Sequence, residues 1–482
     1  MWSGPSPRGG CICSSEGRSP VAEGGPRVPT RLLAAIALSA ALAPLNSTMV
    51  AVALPEMSRT LGADSGVLRQ ALVSSYLLTN VVLQSPGGKL GDRLGYRRAL
   101  ALGQILFALG AALASVWPVL PGLTAARIAM AAGGAILAPS AFALLRTELP
   151  PEVRGRAFGA LGAMMGLSAG LGPKVGALLV THFGWTSIFL ANVPVLVLSA
   201  ALVHLGAPAP APSKEMAAAA RPRFDVLGSV LLGASLLGVV VGLENEAYRW
   251  AAAVGVLGFV PFAWWERRAA DPIIDFSLFR RRTFVAGSLL IAIQNFAMYS
   301  ILFELPQVAG RLFGAGPREV GNTLVAMMAM MIVASPFAGR ASERFGARAV
   351  ALVGCAVAVA GVALLGLLPW DSTTGAVPAL GLLGLGLGLT GAPSQASSIS
   401  DVPRDKSGMA AGLTSTMRYI GGIAGLTVLG LVLTEEPAAE VARREHGTSL
   451  LIFGVALVVT IGCAALLPGR IAAAEGAAAG GR

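Results

Sequence analysis

The sequence predicts an all-α polytopic membrane protein: two six-helix bundles with two extra helices inserted between them. Three observations carry this. Of 482 residues, 55% are apolar and only 13% charged, about half the charged share of a soluble chain. The apolar residues gather in fourteen runs, each close to the roughly 20 residues needed to cross about 30 Å of hydrocarbon. One charged string also occurs twice, GKLGDRLGYRR at Gly88–Arg98 and GRASERFGARA at Gly339–Ala349. Gly88, Asp92, Arg93, Gly95 and Arg97 align with Gly339, Glu343, Arg344, Gly346 and Arg348 at a constant offset of 251 residues.

The runs lie near 32–55, 70–87, 99–117, 121–145, 156–180, 187–206, 226–243, 250–265, 284–308, 319–338, 348–369, 377–399, 408–433 and 448–468. The first begins near Arg31 and the ninth near Arg282, again 251 residues apart. Residues 32–206 and 283–468 are therefore two matching bundles, as expected of a duplicated membrane protein. Residues 207–282 are an insert carrying the seventh and eighth runs, opened by the Pro/Ala linker APAPAPSKEMAAAARPR. Residues 1–31 are rich in Gly, Pro, Ser and Arg, lack the apolar core of a signal peptide, and are expected to be a disordered cytoplasmic tail. Residues 469–482 form a second short tail.

A net charge of +11 alone would suggest nucleic acid, but the placement of the charges argues otherwise. With an even number of runs, 26 of the 36 Lys and Arg fall on the side that holds both termini, 7 in the opposite loops and 3 within runs. The positive-inside bias predicts cytoplasmic termini, and both copies of the repeated turn on the cytoplasmic side. Cys11, Cys13, Cys355 and Cys463 form no framework, and His182, His204 and His446 have no metal-ligand spacing. The stretch GLGLGLTG at Gly384 lies inside an apolar run, where small residues serve helix packing rather than nucleotide binding. No set of His, Asp and Glu is placed for acid–base work. The sequence thus predicts neither an enzyme nor a cofactor or metal. A sensor or scaffold built on the same bundles would need a folded partner domain, for which the tails are too short.

The first copy of the repeat resembles the signature between helices 2 and 3 of the major facilitator superfamily. Gly91 and Gly95 permit a tight turn, Asp92 suits a helix N-terminus, and Arg93, Arg97 and Arg98 can hold acids or lipid phosphates. A second reading makes the arginines topology anchors only. LNSTMVAVALPEM at Leu45–Met57 is similar to the first-helix motif of the fourteen-helix drug:proton antiporters within that superfamily. Gly159, Gly172, Pro173 and Gly176 match their antiporter motif in the fifth run. HFGWTSIFLANVPV, WERRAADPIIDFSLFRRRTF, and the series Gly384, Pro393, Gly408, Arg418 and Gly421 also fit, so the resemblance covers about residues 32–468.

The resemblance implies secondary active export of amphiphilic small molecules from a bacterial plasma membrane, in exchange for protons. The bundles would rock about a central site, with the fifth helix as a glycine-faced seam against the other half. The expected partners are membrane lipid, substrate and protons, with no nucleic acid, and the protein is expected to be a monomer. The departures are as informative. Asn46 stands where the family usually has an acid and cannot titrate. Arg127 keeps the family's arginine, while Met130 and Ala131 replace its usual Gln and Gly. Lys174 and Glu304 are ionisable groups inside the fifth and ninth runs, where such groups usually face a cavity or a partner. Lys174 is expected to face the cavity and to favour neutral or anionic substrates. Glu304 has two readings, an interfacial carboxylate or a replacement coupling acid, and a Lys174–Glu304 pair is one arrangement to look for. Asn46 also motivates an alternative, a facilitator or importer without proton coupling.

Overall fold

A backbone in hydrocarbon must satisfy its own N–H and C=O groups, and a helix does so within one segment. The computed structural model describes residues 30–63, 67–68, 70–205, 225–244, 246–269, 272–315, 317–367, 372–434 and 438–469. The terminal tails and the Pro/Ala linker lie outside the described residues, apart from 30–31 and 469. Among the described residues there are no strands.

The N-terminal bundle comprises α1 (Thr30–Leu61), α2 (Ser75–Leu94), α3 (Tyr96–Val116), α4 (Leu120–Glu148), α5 (Pro151–Phe183) and α6 (Asn192–Leu205), with a single turn at Ser187–Leu190 before α6. The insert supplies α7 (Val226–Glu244) and α8 (Arg249–Glu266). The C-terminal bundle comprises α9 (Arg282–Phe313), α10 (Pro317–Phe345), α11 (Ala347–Leu367), α12 (Val377–Ser398), α13 (Ser407–Val432) and α14 (Ala439–Ala465). Among the described residues, ten helices, α1, α3–α5 and α9–α14, are long and apolar enough to cross a membrane, and shorter apolar helices cover Ser187–Val203 and Val226–Gly242. Polar residues set α2 apart from them: Asn80, Gln84, Ser85 and Lys89 are buried against protein.

The repeated string is helical rather than a turn over most of its length. α2 continues to Leu94 and α10 to Phe345, and the chain breaks at one residue each time, Gly95 (φ 83°) and Gly346 (φ 88°). Within the two strings, only these positions use a backbone region that L side chains avoid. Gly91 packs inside the helix near Ser140 and Tyr96.

Two seams join the bundles on the side of the repeated strings. In one, α2 crosses α13, and a Cβ at Gly88 or Gly408 would overlap the other residue's carbonyl oxygen. In the other, α10 crosses α5: a Cβ at Gly155 would lie 2.6 Å from the Gly339 carbonyl oxygen, and one at Gly159 would lie 2.6 Å from that of Ser335. Gly88 and Gly339 are 251 residues apart, Gly155 and Gly408 are 253, so the duplication extends to the contacts.

Past the middle of the molecule, α5 and α13 change partners. Gly172 abuts Leu45 and Thr48 of α1, and Gly176 abuts Met49. In the other bundle, a Cβ at Gly425 would lie 2.5 Å from the Phe296 carbonyl oxygen of α9. The bundles are therefore closed on the repeat side and part towards the opposite side. The insert spans the closed side. Gly233 of α7 meets Val82 of α2, and beyond α8 the Asp275 carboxylate pairs with Lys406 at 2.6 Å, just before α13.

Replacing Gly159 by Val sets a branched side chain against a backbone carbonyl. Overpacking of this kind typically costs about 1–3 kcal/mol. The expected outcome is a wider spacing between spin labels on the repeat-side ends of α5 and α10. An unchanged distance distribution would show that the seam tolerates more than hydrogen at this position.

Candidate functional site

The centre is built from one arginine in each bundle, Arg127 buried and Arg418 half-buried. Arg127 of α4 donates through Nη1 to Asn46 Oδ1 of α1, and through Nε to the Leu72 carbonyl at 2.7 Å. Leu72 lies in a π turn, Gln70–Ser74, that interrupts the α-helical ladder before α2. The guanidinium stands 3.9 Å from the Tyr76 ring centroid. Asn46, Tyr76 and Arg127 are each no more than 1% exposed. In the C-terminal bundle, Arg418 of α13 donates to Gln395 Oε1 of α12 at 2.6 Å. Its guanidinium lies 5.5 Å from the ring centroid of Phe142 on α4, across the boundary between bundles. Tyr419 is within electrostatic reach of Arg418, Tyr76 and Tyr299, so three of the chain's five tyrosines gather here. Among the described contacts neither arginine meets a carboxylate; amides, a carbonyl and ring faces hold them.

The repeat side carries the charged contacts between bundles. Asp92 accepts the Gly408 and Met409 amides at 2.6 and 2.7 Å, so it caps the N-terminus of α13, where a negative charge is favoured. The Tyr96 hydroxyl donates to Asp92 at 2.7 Å and lies 3.1 Å from the Arg404 carbonyl. Within the N-terminal bundle, Arg97 holds Glu148 with two hydrogen bonds, at 2.8 and 2.7 Å. Arg146 reaches from α4 to the Ser400 and Val402 carbonyls and the Ser407 hydroxyl. The second copy is built differently. Glu343 takes the Arg156 amide at 2.8 Å and its Nε at 2.6 Å, while Arg348 donates to the Leu467 carbonyl of its own bundle. Arg93 is half-buried and Arg344 exposed. Burial pushes the Asp92 carboxyl up to about 7, against the lowering effects of Tyr96, the two amides and Lys89.

Two expectations are corrected. Glu304 does not pair with Lys174. Its Oε1 lies 2.9 Å from His446 Nδ1 on α14, with 1% and 8% of the two side chains exposed, whereas Lys174 is exposed on α5. Within the antiporter motif, Gly159 faces the other bundle, but Gly172 and Gly176 lie on another face of α5 and meet α1 of their own bundle. Pro173, between them, is exposed. Reading the sequence missed His446, Tyr76, Tyr299, Gln395 and Phe142. His446 follows the charged string EVARRE and reads as loop, but α14 already begins at Ala439.

The chain matches the family model described as Major Facilitator Superfamily over residues 36–426. It is 32% identical over 419 residues to the tetracenomycin C resistance and export protein of Streptomyces glaucescens, covering 84% of this chain and 76% of that protein. It is 32% identical over 403 residues to the multidrug resistance protein Stp of Mycobacterium tuberculosis (strain CDC 1551 / Oshkosh), covering 81% and 73%. The fold is similar to that of the human organic anion transporter MFSD10 (TETRAN), with a TM-score of 0.66 at 15% identity over 91% of this chain and 100% of that one.

Asp92 gives the closed side a pH dependence of definite sign. Released into water, its carboxyl returns to about 4, so the closed form binds the proton more tightly. Between about 7 and 4, falling pH therefore favours closure; above about 7 the dependence vanishes. Cross-linking between cysteines on α2 and α13 should rise on acidification from neutral pH, and Asp92→Asn should flatten that profile.

Proposed function

The chain belongs to the major facilitator superfamily, whose members are transporters and not enzymes, and from that premise we propose that it exports neutral or anionic amphiphiles in exchange for protons. The observation that carries the substrate class is the pair of central arginines with amide, carbonyl and ring partners in place of carboxylates. Ionised groups inside a membrane bundle usually mark a substrate or ion pathway. A centre carrying two uncompensated cations attracts anions and repels dications. Lys174, exposed on α5, adds a third positive group on the side where the bundles part. The relatives named for tetracenomycin C export and multidrug resistance support export of this kind.

In this reading the chain crosses a bacterial plasma membrane fourteen times, as a monomer with both termini in the cytoplasm. The domain boundaries are those of the duplication: residues 32–206, the insert at 207–282, and 283–468. The closed seams then represent a form shut towards the cytoplasm. Gly88, Asp92 and Gly408, with Gly339, Glu343 and Gly155, are the latches that must part for the inward-open form. Asp92→Asn resembles the protonated state and is expected to slow export while leaving insertion intact. Glu343→Gln should do less, since its contacts are half exposed and involve one residue.

A second reading, an uncoupled facilitator, draws on Asn46, which cannot carry the proton that the usual acid would. Proteoliposomes with an imposed pH gradient separate the two, with tetracenomycin C as the amphiphilic probe and a quaternary ammonium dye as the cationic one. Gradient-driven transport of the first and not the second is expected. Arg418→Gln should reduce the first about tenfold, equivalent to about 1.4 kcal/mol. Preference for the cation would refute the substrate class, and indifference to the gradient would favour the facilitator.

A further inference from the structure

We propose that Glu304 and His446 form the proton-binding dyad of this transporter, placed in the C-terminal bundle between α9 and α14, and that it takes over the coupling role left vacant by Asn46. The inference rests on the antiport reading above and adds a site to it.

Glu304 is 1% exposed and His446 7%, and their facing atoms are 2.9 Å apart. Ser449 stands beside them. Glu304 Oε2 is buried with no hydrogen-bond partner among the described residues. A buried carboxylate oxygen without a donor is costly unless it takes up a proton. Glu304 breaks the symmetry of the duplication: Leu305 and Pro306 align with Leu54 and Pro55, while Glu304 aligns with Ala53.

A purely structural role is already filled close by. Arg311 of α9 and Glu445 of α14 lie 2.8 Å apart, and Glu445 also accepts the Thr434 amide at 2.9 Å and its hydroxyl at 2.6 Å. A guanidinium does not titrate in proteins, so Arg311 keeps its charge at any working pH. Glu304 and His446 are instead a carboxyl and an imidazole. Imidazole is the side chain whose charge changes most readily between about pH 5 and 8.

The surroundings leave the dyad as the titrating unit. Arg311 faces it from its own helix; on α14 Glu445 is buried beside it, while Glu440, Arg443 and Arg444 are exposed. Of the other helices packed on α9, α12 carries no ionisable residue, α13 offers only Arg418 and Tyr419, and α10 carries Arg318 and Glu319 at this end. One proton taken up from water on the open side brings the dyad from a net charge of −1 to zero. Release to the other side restores it. The charge belongs to the pair rather than to either residue. α9 also carries Tyr299, which packs against Gly422 of α13, and Phe296, which meets Gly425. A change of charge at Glu304 therefore acts on the helix that joins the dyad to the centre.

Infrared difference spectra of purified protein, titrated between about pH 5 and 8, need no substrate. The wild type is expected to show a titrating carboxyl–imidazole signal that Glu304→Gln abolishes and His446→Gln shifts. In proteoliposomes, both variants should lose export of tetracenomycin C driven by a pH gradient and should lose its pH profile, while exchange at equal pH persists. A spectrum unchanged in Glu304→Gln would overturn the dyad, as would a wild-type pH profile in either variant. A structural role alone would lower the yield or thermal stability of the variants and leave that profile in place. If wild-type transport ignores the gradient, the antiport reading fails by itself, and absence of the infrared titration would then refute the site as well. Glu304→Asp keeps the carboxyl and should restore part of the signal if Glu304→Gln does not fold.

Discussion

The rest of the structure depends on backbone meeting backbone at the two seams between bundles. Helix axes usually lie 8–10 Å apart, at a distance set by the side chains between them. Glycine removes those side chains, and Gly88 against Gly408 and Gly155 against Gly339 bring carbonyl oxygens into the space a Cβ would fill. Hydrocarbon offers no hydrophobic drive for helices to associate, so close packing of small residues must supply the attraction. Such contacts are short-ranged and lost with a small displacement. That suits surfaces that must separate as a unit.

Charge then makes the two seams unequal. Asp92 spans the boundary with two backbone amides at the head of α13, and Tyr96 and Arg146 add further bonds across the same side. Glu343 spans its boundary through Arg156 alone. Since burial raises the Asp92 carboxyl while the amides lower it, burying that charge opposes closure and the capping bonds favour it. Closely opposed effects leave a contact easily shifted by protonation. The insert is joined to the same seam, with α7 on α2 and Asp275 on Lys406, so any movement of α13 away from α2 has to carry that segment along or break its ion pair.

Much of the fold was legible because duplication writes itself twice. The offset of 251 residues marks the aligned turns, the starts of the first and ninth helices, and the insert between the bundles. The same register appears in the contacts of Leu45 with Gly172 and of Phe296 with Gly425. What lay outside the sequence was direction around a helix axis. Gly159 and Gly172 read as one motif, yet a helix turns about 100° per residue, and α5 presents them to different neighbours. His446 was hidden for another reason: a charged stretch reads as loop, but a helix end buried against protein holds it in α14. The central arginines were visible as residues, while their lack of acidic partners could be seen only in three dimensions.

The absence of those acids shapes how the proposed cycle must work. Were residue 46 an aspartate, it would sit against Arg127 and cancel its charge, so that proton and substrate would compete for one site. With Asn46 accepting from Arg127 instead, the cation persists in every protonation state of the protein. Amides and aromatic faces stabilise a guanidinium without neutralising it. An anionic substrate can therefore meet the central charge while a proton binds elsewhere. Coupling between separated sites requires an element with two arrangements that both ligands bias. In the proposed cycle α9 is that element, since it carries Glu304 towards one end and packs Phe296 and Tyr299 against α13 nearer the centre. Moving the titrating group off the substrate site thus changes the form of exchange from direct displacement to linkage through one helix.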